Sequence, residues 1–211
     1  MLKSLIKLHM DSFDRIMLNK GDILLFENSN SPLLYFLIEG IMQIGRLNFQ
    51  NSILTQGIVK NNTCFIVQSN SGYVYQGKAL ETSYILVLTF ESLDNIIKSN
   101  PLFLTYIVNG IYQYFIQLEE FSSIFFPKTV YNRTIALLLY LAKYFGYHSF
   151  KGTEIQVSIT QANIAQILGS SRVTITRIFK ILYRTQCLEV YYNRIVIKNP
   201  VYFGFLTQKR Y

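Results

Sequence analysis

The chain has 211 residues, of which 50% are hydrophobic and 15% charged, and it carries a formal net charge of +8. This composition excludes a disordered tail, and the length suits one large or two small domains, each with a hydrophobic core. The sequence contains no apolar run of membrane-spanning length, and Cys64 and Cys187 lack the spacing of zinc or iron–sulfur ligands, which indicates a reducing compartment.

The charge is divided unevenly along the chain. Residues 1–127 contain 8 Lys or Arg and 10 Asp or Glu, whereas residues 128–211 contain 12 Lys or Arg and only two acids, Glu154 and Glu189. A basic part beside a near-neutral part indicates that only the C-terminal part meets a polyanion. The alternative is that the basic side chains merely keep an apolar domain soluble.

In chain order, residues 1–18 mix apolar and polar positions and predict an initial helix. Residues 20–90 contain short apolar runs separated by turn signals, which is typical of an all-β sandwich or barrel. Glu39-Gly40 predicts a tight hairpin between two of these runs, because glycine adopts the positive φ that such turns need. The predicted strands are Ile23–Phe26, Leu34–Ile38, Met42–Leu47, Ile53–Ile58 and Tyr84–Leu88.

From Glu91 the hydrophobic period becomes helical, with helix starts predicted at Ser92 or at Asn100-Pro101. Apolar positions then recur at alternating spacings of four and three, which favours a dimer-forming coiled coil over a helix packed on its own sheet. Pro127 predicts the end of this helix and a hinge. The predicted dimerisation residues are Leu104, Val108, Ile111, Phe115 and Leu118.

The C-terminal part predicts a winged helix. Residues 132–147 predict an amphipathic helix that ends at Gly146, and residues 154–159 a short connecting segment. Residues 161–182 then predict two short helices around a turn at Gly169-Ser170-Ser171, the layout of a helix-turn-helix that reads DNA. Residues 187–191 and 194–198 predict a strand pair around Tyr192-Asn193, and such a wing usually contacts phosphates.

Each of these two helices has a predicted cap and a predicted buried face. Thr160 is the expected N-cap of the first helix and Gly169 its C-terminal residue, while Ser170 or Ser171 caps the second. The predicted packing residues are Ala162, Ile164, Ala165 and Leu168 in the first helix and Ile175, Ile178, Phe179 and Leu182 in the second.

The remaining side of the second helix supplies the predicted DNA contacts. Arg172 and Arg177 are placed to bind guanine O6 and N7, while a Val or Thr methyl group suits a thymine methyl. The alternative for Arg177 is a surface salt bridge, although acidic residues are almost absent nearby. The full predicted DNA-binding set is Ser170, Ser171, Arg172, Val173, Thr174, Thr176, Arg177, Lys180, Arg184 and Arg194, of which Lys180, Arg184 and Arg194 are the predicted phosphate contacts.

Together these features resemble the Crp/Fnr family of transcription regulators. Within it, the stretches ILGSSRVTITRI (residues 167–178) and IVIKNP (residues 195–200) are similar to global nitrogen regulators of cyanobacteria and red-algal plastids. The resemblance implies an α+β chain with a β-roll sensor domain at 1–97, a dimerisation helix at 98–127 and a winged helix at 128–211. It also implies a homodimeric activator that binds a GTA…TAC palindrome in double-stranded DNA, works with RNA polymerase, and resides in the plastid stroma or, alternatively, in a bacterial cytoplasm.

The sensor half departs from the cyclic-nucleotide members of this family. Those members hold the cyclic phosphate with a Gly-Glu pair and an arginine, and residues 63–69 here contain neither, so cAMP is not the expected ligand. Nitrogen regulators use an arginine of this region for 2-oxoglutarate, where this chain has Tyr73. The resemblance therefore makes 2-oxoglutarate a candidate effector, with Phe65, Ile66, Val67, Tyr73, Lys78 and Lys128 as the candidate residues.

The same residues leave two other classes of function as alternatives. One is a β-roll module that binds a small acid or a partner and retains only non-specific DNA binding. The other is an enzyme, but the chain has only His9 and His148 and no Ser/His/Asp or metal-ligand spacing, so no catalytic residue and no metal site is predicted.

Overall fold

The computed structural model describes residues 9, 12–26, 32–47, 53–67, 74–191 and 194–206. The chain divides into two compact units, Met1–Glu119 and Glu120–Tyr211. Within the described residues, every helix is too short or too polar to cross a bilayer.

The N-terminal unit is an antiparallel β-sandwich followed by two helices. One four-stranded sheet has the order β1-β8-β3-β6 and the other has the order β2-β7-β4-β5, which confirms the predicted all-β architecture. The strands are β1 Asp14–Leu18, β2 Ile23–Leu25, β3 Leu33–Glu39, β4 Ile41–Leu47, β5 Ile53–Lys60, β6 Thr63–Val67, β7 Tyr75–Ala79 and β8 Ser83–Thr89.

The prediction of an initial helix is wrong for its described C-terminal part. Asp14–Leu18 is strand β1, paired with β8 so that Ile16 lies opposite Ile85. Ile16 and Leu18 alternate toward the interior of the sandwich, and this period of two outweighs the helical tendency of a five-residue stretch. The tight turn predicted after β3 forms, with Gly40 at a φ of 100°, but the hairpin prediction is wrong because β3 and β4 belong to different sheets and do not pair with each other.

The space between the two sheets is filled by aromatic rings. Tyr35 and Phe65 stack with their centroids 5.6 Å apart, and Phe26 meets both rings edge-on at 4.9 and 5.8 Å. Strand β7 passes so close that a Cβ on Gly77 would lie 2.5 Å from the Met42 methyl group. A larger residue at that position would therefore require the Met42 side chain to shift.

Helices α1 (Phe90–Ser99) and α2 (Leu102–Ser123) complete this unit, although the last turn of α2 belongs to the second unit. Helix α1 begins two residues earlier than predicted, because Thr89 rather than a later residue is its N-cap. Helix α2 packs Phe103 and Ile107 against the outer face of the first sheet. It ends four residues before Pro127, so the prediction that Pro127 ends the helix is wrong.

The C-terminal unit contains four helices and one antiparallel sheet of order β11-β12-β10-β9 within its described residues. Its predicted first helix is confirmed, with Thr129 as N-cap and Gly146 as C-cap. The predicted wing strands are present, whereas Tyr192-Asn193 lie outside the described residues. The elements are α3 Val130–Phe145, β9 Gly146–Ser149, β10 Gly152–Ile155, α4 Gln161–Ile167, α5 Arg172–Arg184, β11 Leu188–Tyr191, β12 Arg194–Ile197 and α6 Pro200–Phe205.

Candidate nucleic-acid interface

Helix α4 is held at its start by a reciprocal cap. Thr160 Oγ1 accepts a hydrogen bond from the Asn163 amide at 3.1 Å, and Asn163 Oδ1 accepts one from the Thr160 amide at 3.1 Å. A helix of 7 residues is too short to persist alone. The cap, worth about 1 kcal/mol, and packing against α5 together keep α4 folded. The predicted N-cap role of Thr160 is thus confirmed.

The turn between α4 and α5 also forms as predicted. Gly169 has a φ of 60°, the left-handed conformation that glycine adopts at low cost, and the Ser170 amide donates to the Ala165 carbonyl at 2.8 Å. Ser171 is the N-cap of α5, since its Oγ accepts from the Thr174 amide at 3.1 Å. Its backbone conformation fixes the direction in which α5 leaves the turn.

The buried face of α4 differs from the prediction at one residue. Ile164, Ala165 and Leu168 are buried as expected, but Ala162 is exposed and Ile167 is buried in its place. Two turns of helix are too few for the hydrophobic spacing to determine which side faces the core.

Helix α5 has two distinct sides. Ile175, Ile178, Phe179 and Leu182 are buried, as predicted. At 3.6 residues per turn, four other side chains fall within roughly 60° of the helix circumference, on the side opposite those buried residues. These four are Val173, Arg177, Lys180 and Arg184, and all of them are exposed.

The acids of the C-terminal unit are already paired elsewhere. Glu120 accepts two bonds from Lys143 Nζ at 2.6 and 2.8 Å, Glu154 lies 2.9 Å from Arg194, and Glu189 lies 2.8 Å from Lys198. The hydrogen bond from Lys198 lowers the pKa of Glu189 below its usual value. These three are the only acids in the sequence of this unit, so it offers no further carboxylate to the cations of α5.

Arg172 occupies the first position of α5, and the first turn of this helix contains no acidic residue. A cation at the positive end of the helix dipole destabilises the protein, typically by about 0.3–1 kcal/mol, until an anion is bound there. The exposed side of α5 is thus an uncompensated positive surface whose N-terminal end suits a phosphate or the edge of a base.

Three other predicted DNA-binding residues have polar partners within the unit. Thr176 Oγ1 donates to Gln161 Oε1 at 2.7 Å. Thr174 Oγ1 lies 2.9 Å from Ser171 Oγ. Arg194 Nη1 donates to Gln156 Oε1 at 2.6 Å as well as to Glu154, so its charge is already partly neutralised at the base of the wing.

Two further residues at this surface were not predicted from the sequence. Gln161, together with Thr160, Ala162 and Arg172, lines an open cleft with a volume of about 390 Å³. On the wing, Lys151 Nζ lies 4.4 Å from the centre of the Tyr191 ring. A polar residue at a helix start and a lysine in a hairpin turn carry no spacing signal that would have singled them out.

The structure brings together only some of the predicted effector residues. Phe65 and Val67 are buried in the sandwich interior, where the Phe65 ring lies 5.5 Å from Tyr114, whereas Ile66 is on the other face of β6 and 40% exposed. Lys78 precedes Ala79, which faces the interior, so alternation along β7 turns the lysine away from it. Lys128 is exposed in the other unit, and Tyr73 lies outside the described residues.

Leu104, Val108 and Phe115 of the predicted dimerisation stripe lie on the side of α2 away from its own sheet, whereas Ile111 packs partly against the buried cluster that contains Phe103 and Ile107. Leu104, Val108 and Phe115 are 47%, 56% and 63% exposed, and Ile111 and Leu118 are half-buried. The opposite side of the helix carries the residues packed in the N-terminal unit. The exposed stripe is therefore available for contact with another surface.

Comparisons with known proteins agree with this architecture. Residues 132–202 match the family model of the Crp-like helix-turn-helix domain. A relative in Porphyra purpurea, named as the HTH-type transcriptional regulator ycf28, is 28% identical over 190 residues, which cover 87% of this chain and 78% of the relative. The Global nitrogen regulator of a Nostoc species is 24% identical over 187 residues, which cover 86% of this chain and 84% of the relative.

Solved structures share the fold at lower identity. A CooA mutant from Carboxydothermus hydrogenoformans superposes with a TM-score of 0.76 at 18% identity, covering 94% of this chain and 89% of that chain. A CRP-family transcriptional regulator from Thermus thermophilus gives a TM-score of 0.72 at 14% identity, with 92% and 97% of the two chains covered. At these identities the likeness shows the fold alone.

Proposed function

From a chain that has the Crp/Fnr-like fold and carries a Crp-like helix-turn-helix domain, we propose a transcription regulator that reads a palindromic DNA site as a homodimer. One observation carries the proposal: the exposed side of α5 is basic, and the acids of its own unit are already paired with other cations. A positive helix face without compensating acids favours the binding of a polyanion.

In this proposal the two ends of α5 contact different parts of the DNA. Arg172, Val173 and Arg177 meet base edges in the major groove, where arginine binds guanine O6 and N7 with two hydrogen bonds. Lys180 and Arg184, further along the helix, contact phosphates and raise affinity for any sequence. Ser170, Ser171 and Thr174 lie at the helix start, where hydroxyls and amide groups suit a phosphate oxygen.

The two sides of α2 support dimerisation. One side is already packed in the N-terminal unit, so the apolar stripe through Val108 and Phe115 supports pairing with the same stripe of a second copy. Two copies related by a two-fold axis present two recognition helices to half-sites about 34–36 Å apart. This supports Leu104, Val108 and Phe115 as dimer contacts, with the half-buried Ile111 and Leu118 of the predicted set at the edge of the stripe.

The proposed target genes, DNA site and localisation are taken from the relatives. Global nitrogen regulators of three cyanobacterial strains are 23–24% identical to the chain over 86–92% of its length, which supports control of nitrogen-responsive genes. We carry over the GTA…TAC palindrome, activation with RNA polymerase, and the plastid stroma or a bacterial cytoplasm as parts of this proposal. 2-Oxoglutarate remains its candidate effector.

Fluorescence anisotropy tests the proposal directly. The full-length protein is titrated against a GTA…TAC duplex and against a shuffled duplex of the same composition, at several salt concentrations. We expect affinity for the palindrome to exceed that for the shuffled duplex by at least about 10³-fold, the usual margin of specific recognition. Equal and equally salt-dependent binding to both duplexes would show that the basic surface holds phosphates without reading sequence.

A further inference from the structure

One predicted base contact is joined to the first helix of the motif. Thr176 Oγ1 donates a 2.7 Å hydrogen bond to Gln161 Oε1, although the two residues are 15 positions apart. Thr176 lies one turn beyond Arg172, on the flank of α5 between its exposed and buried sides, and it is half-buried whereas Arg172 and Arg177 are exposed.

Gln161 is well placed to hold Thr176. It is the first residue of α4, directly after the capped Thr160, so its backbone is fixed by the reciprocal cap. It also lines the same open cleft as Arg172, which locates it at the surface rather than in the core. The hydrogen bond therefore joins the fixed start of α4 to the Thr176 side chain on α5.

The bond determines which part of Thr176 remains available. The threonine Cβ carries one hydroxyl and one methyl group in staggered positions about 120° apart. When Gln161 takes the hydroxyl, the methyl is the group left for an outside partner. A free threonine hydroxyl would bond several bases, whereas a methyl group complements the C5-methyl of thymine.

We infer that Gln161 is a positioning residue that holds Thr176 with its methyl group toward the major groove, so that this position selects thymine. The inference rests on the proposed function, because it requires α5 to lie in the groove. It assigns Gln161 to specificity without any contact between its own side chain and a base.

The test replaces thymine by deoxyuridine, which lacks only the C5-methyl. Each symmetry-related pair of thymines in the palindromic duplex is replaced in turn, and binding is measured by anisotropy. For the wild-type protein we expect replacement at one pair of thymines to lower affinity. The loss of one buried methyl group corresponds to about fourfold per half-site, and therefore to about 15-fold for the two half-sites together. The readout is the ratio of affinity for the thymine duplex to affinity for the deoxyuridine duplex, because a general loss of binding lowers both affinities equally and leaves the ratio unchanged.

Four substitutions, one of them also made in a second background, separate positioning from other roles. Thr176→Ser, which lacks the methyl, should bring the ratio at that pair to one. Thr176→Val, which presents methyl groups without a hydroxyl, should retain it. Gln161→Ala should reduce the ratio toward one in the wild-type background and have no effect on it in the Thr176→Val background. Gln166→Ala, at an exposed glutamine of the same helix, is the matched control and should leave the ratio unchanged.

Circular dichroism melts confirm that each variant is folded before its ratio is interpreted. A ratio of one at every thymine, or a ratio unaffected by Gln161→Ala, would overturn the inference even if the protein still preferred the palindrome over the shuffled duplex. Absence of that preference in the wild-type protein would instead overturn the proposed function, and this inference with it.

Discussion

Replacing Arg177 by alanine tests whether this side chain reads a base. Arg177 is exposed on α5, and the acids of its own unit are engaged elsewhere, so its removal should change the free energy of unfolding by less than about 0.5 kcal/mol. Loss of a bidentate guanine contact costs about 1–3 kcal/mol per half-site. For a homodimer, the two copies together should weaken specific binding by roughly 30-fold to 10⁴-fold.

The assay compares Arg177→Ala with Lys180→Ala, at another exposed cation of the same side of α5. Both variants are titrated by anisotropy against the palindromic and the shuffled duplex, between about 50 and 200 mM salt, conditions over which phosphate contacts weaken strongly. Arg177→Ala should lower affinity for the palindrome far more than for the shuffled duplex. Lys180→Ala should weaken both alike and reduce the slope of log K against log salt by about 0.9 per protomer.

Two results would refute this reasoning. Equal losses on both duplexes for Arg177→Ala would assign this arginine to phosphate contact. A palindrome-selective loss for Lys180→Ala would show that the division of α5 into a base-reading end and a phosphate-contacting end is incorrect.

Three other perturbations follow from the structure. Arg172→Glu should abolish DNA binding, while thermal melts should show unchanged stability or a gain of about 0.3–1 kcal/mol, because it places an acid at the positive end of the α5 dipole. A clear loss of stability would contradict this. Val108→Glu should give monomers in sedimentation, whereas Asn109→Glu, at the next exposed position outside the stripe, should remain a dimer. Dimers in both variants would reject the α2 interface. Burial raises the pKa of Cys64 from 9.0 to about 12, so its thiol should resist iodoacetamide at about pH 8, and the stability that this burial contributes should be lost as pH rises from about 9 through 12. Rapid labelling of Cys64 in the folded protein under those conditions would contradict that burial.

Local chemistry made much of the C-terminal unit predictable from the sequence. Thr160, Gly169 and Ser171 cap and turn helices by interactions within a few residues, and the four buried residues of α5 follow a clear helical period over 13 residues. In both cases the signal lies within one element, so no knowledge of the tertiary structure is needed.

Features that depend on distant parts of the chain could not be predicted in the same way. Strand β7 contains no continuous apolar run, and its Gly77 is explained only by the approach of Met42 and Phe26 from other parts of the sandwich. The bond from Thr176 to Gln161 joins two helices, so no spacing rule points to it. The exposure of Ala162 reflects a helix too short for its periodicity to decide the buried side.

The exposed and the buried side chains of α5 lie on separate sides of the helix and can therefore change independently during evolution. Substitutions at Arg172, Val173 or Arg177 change exposed side chains and leave the buried ones untouched, so on the proposed function a lineage can acquire new target sites without first losing a folded domain. Thr176 is different, since its partner lies on another helix. On the inference above, a substitution at either Thr176 or Gln161 alters the preference at that position, so we expect both residues to change more slowly than their neighbours.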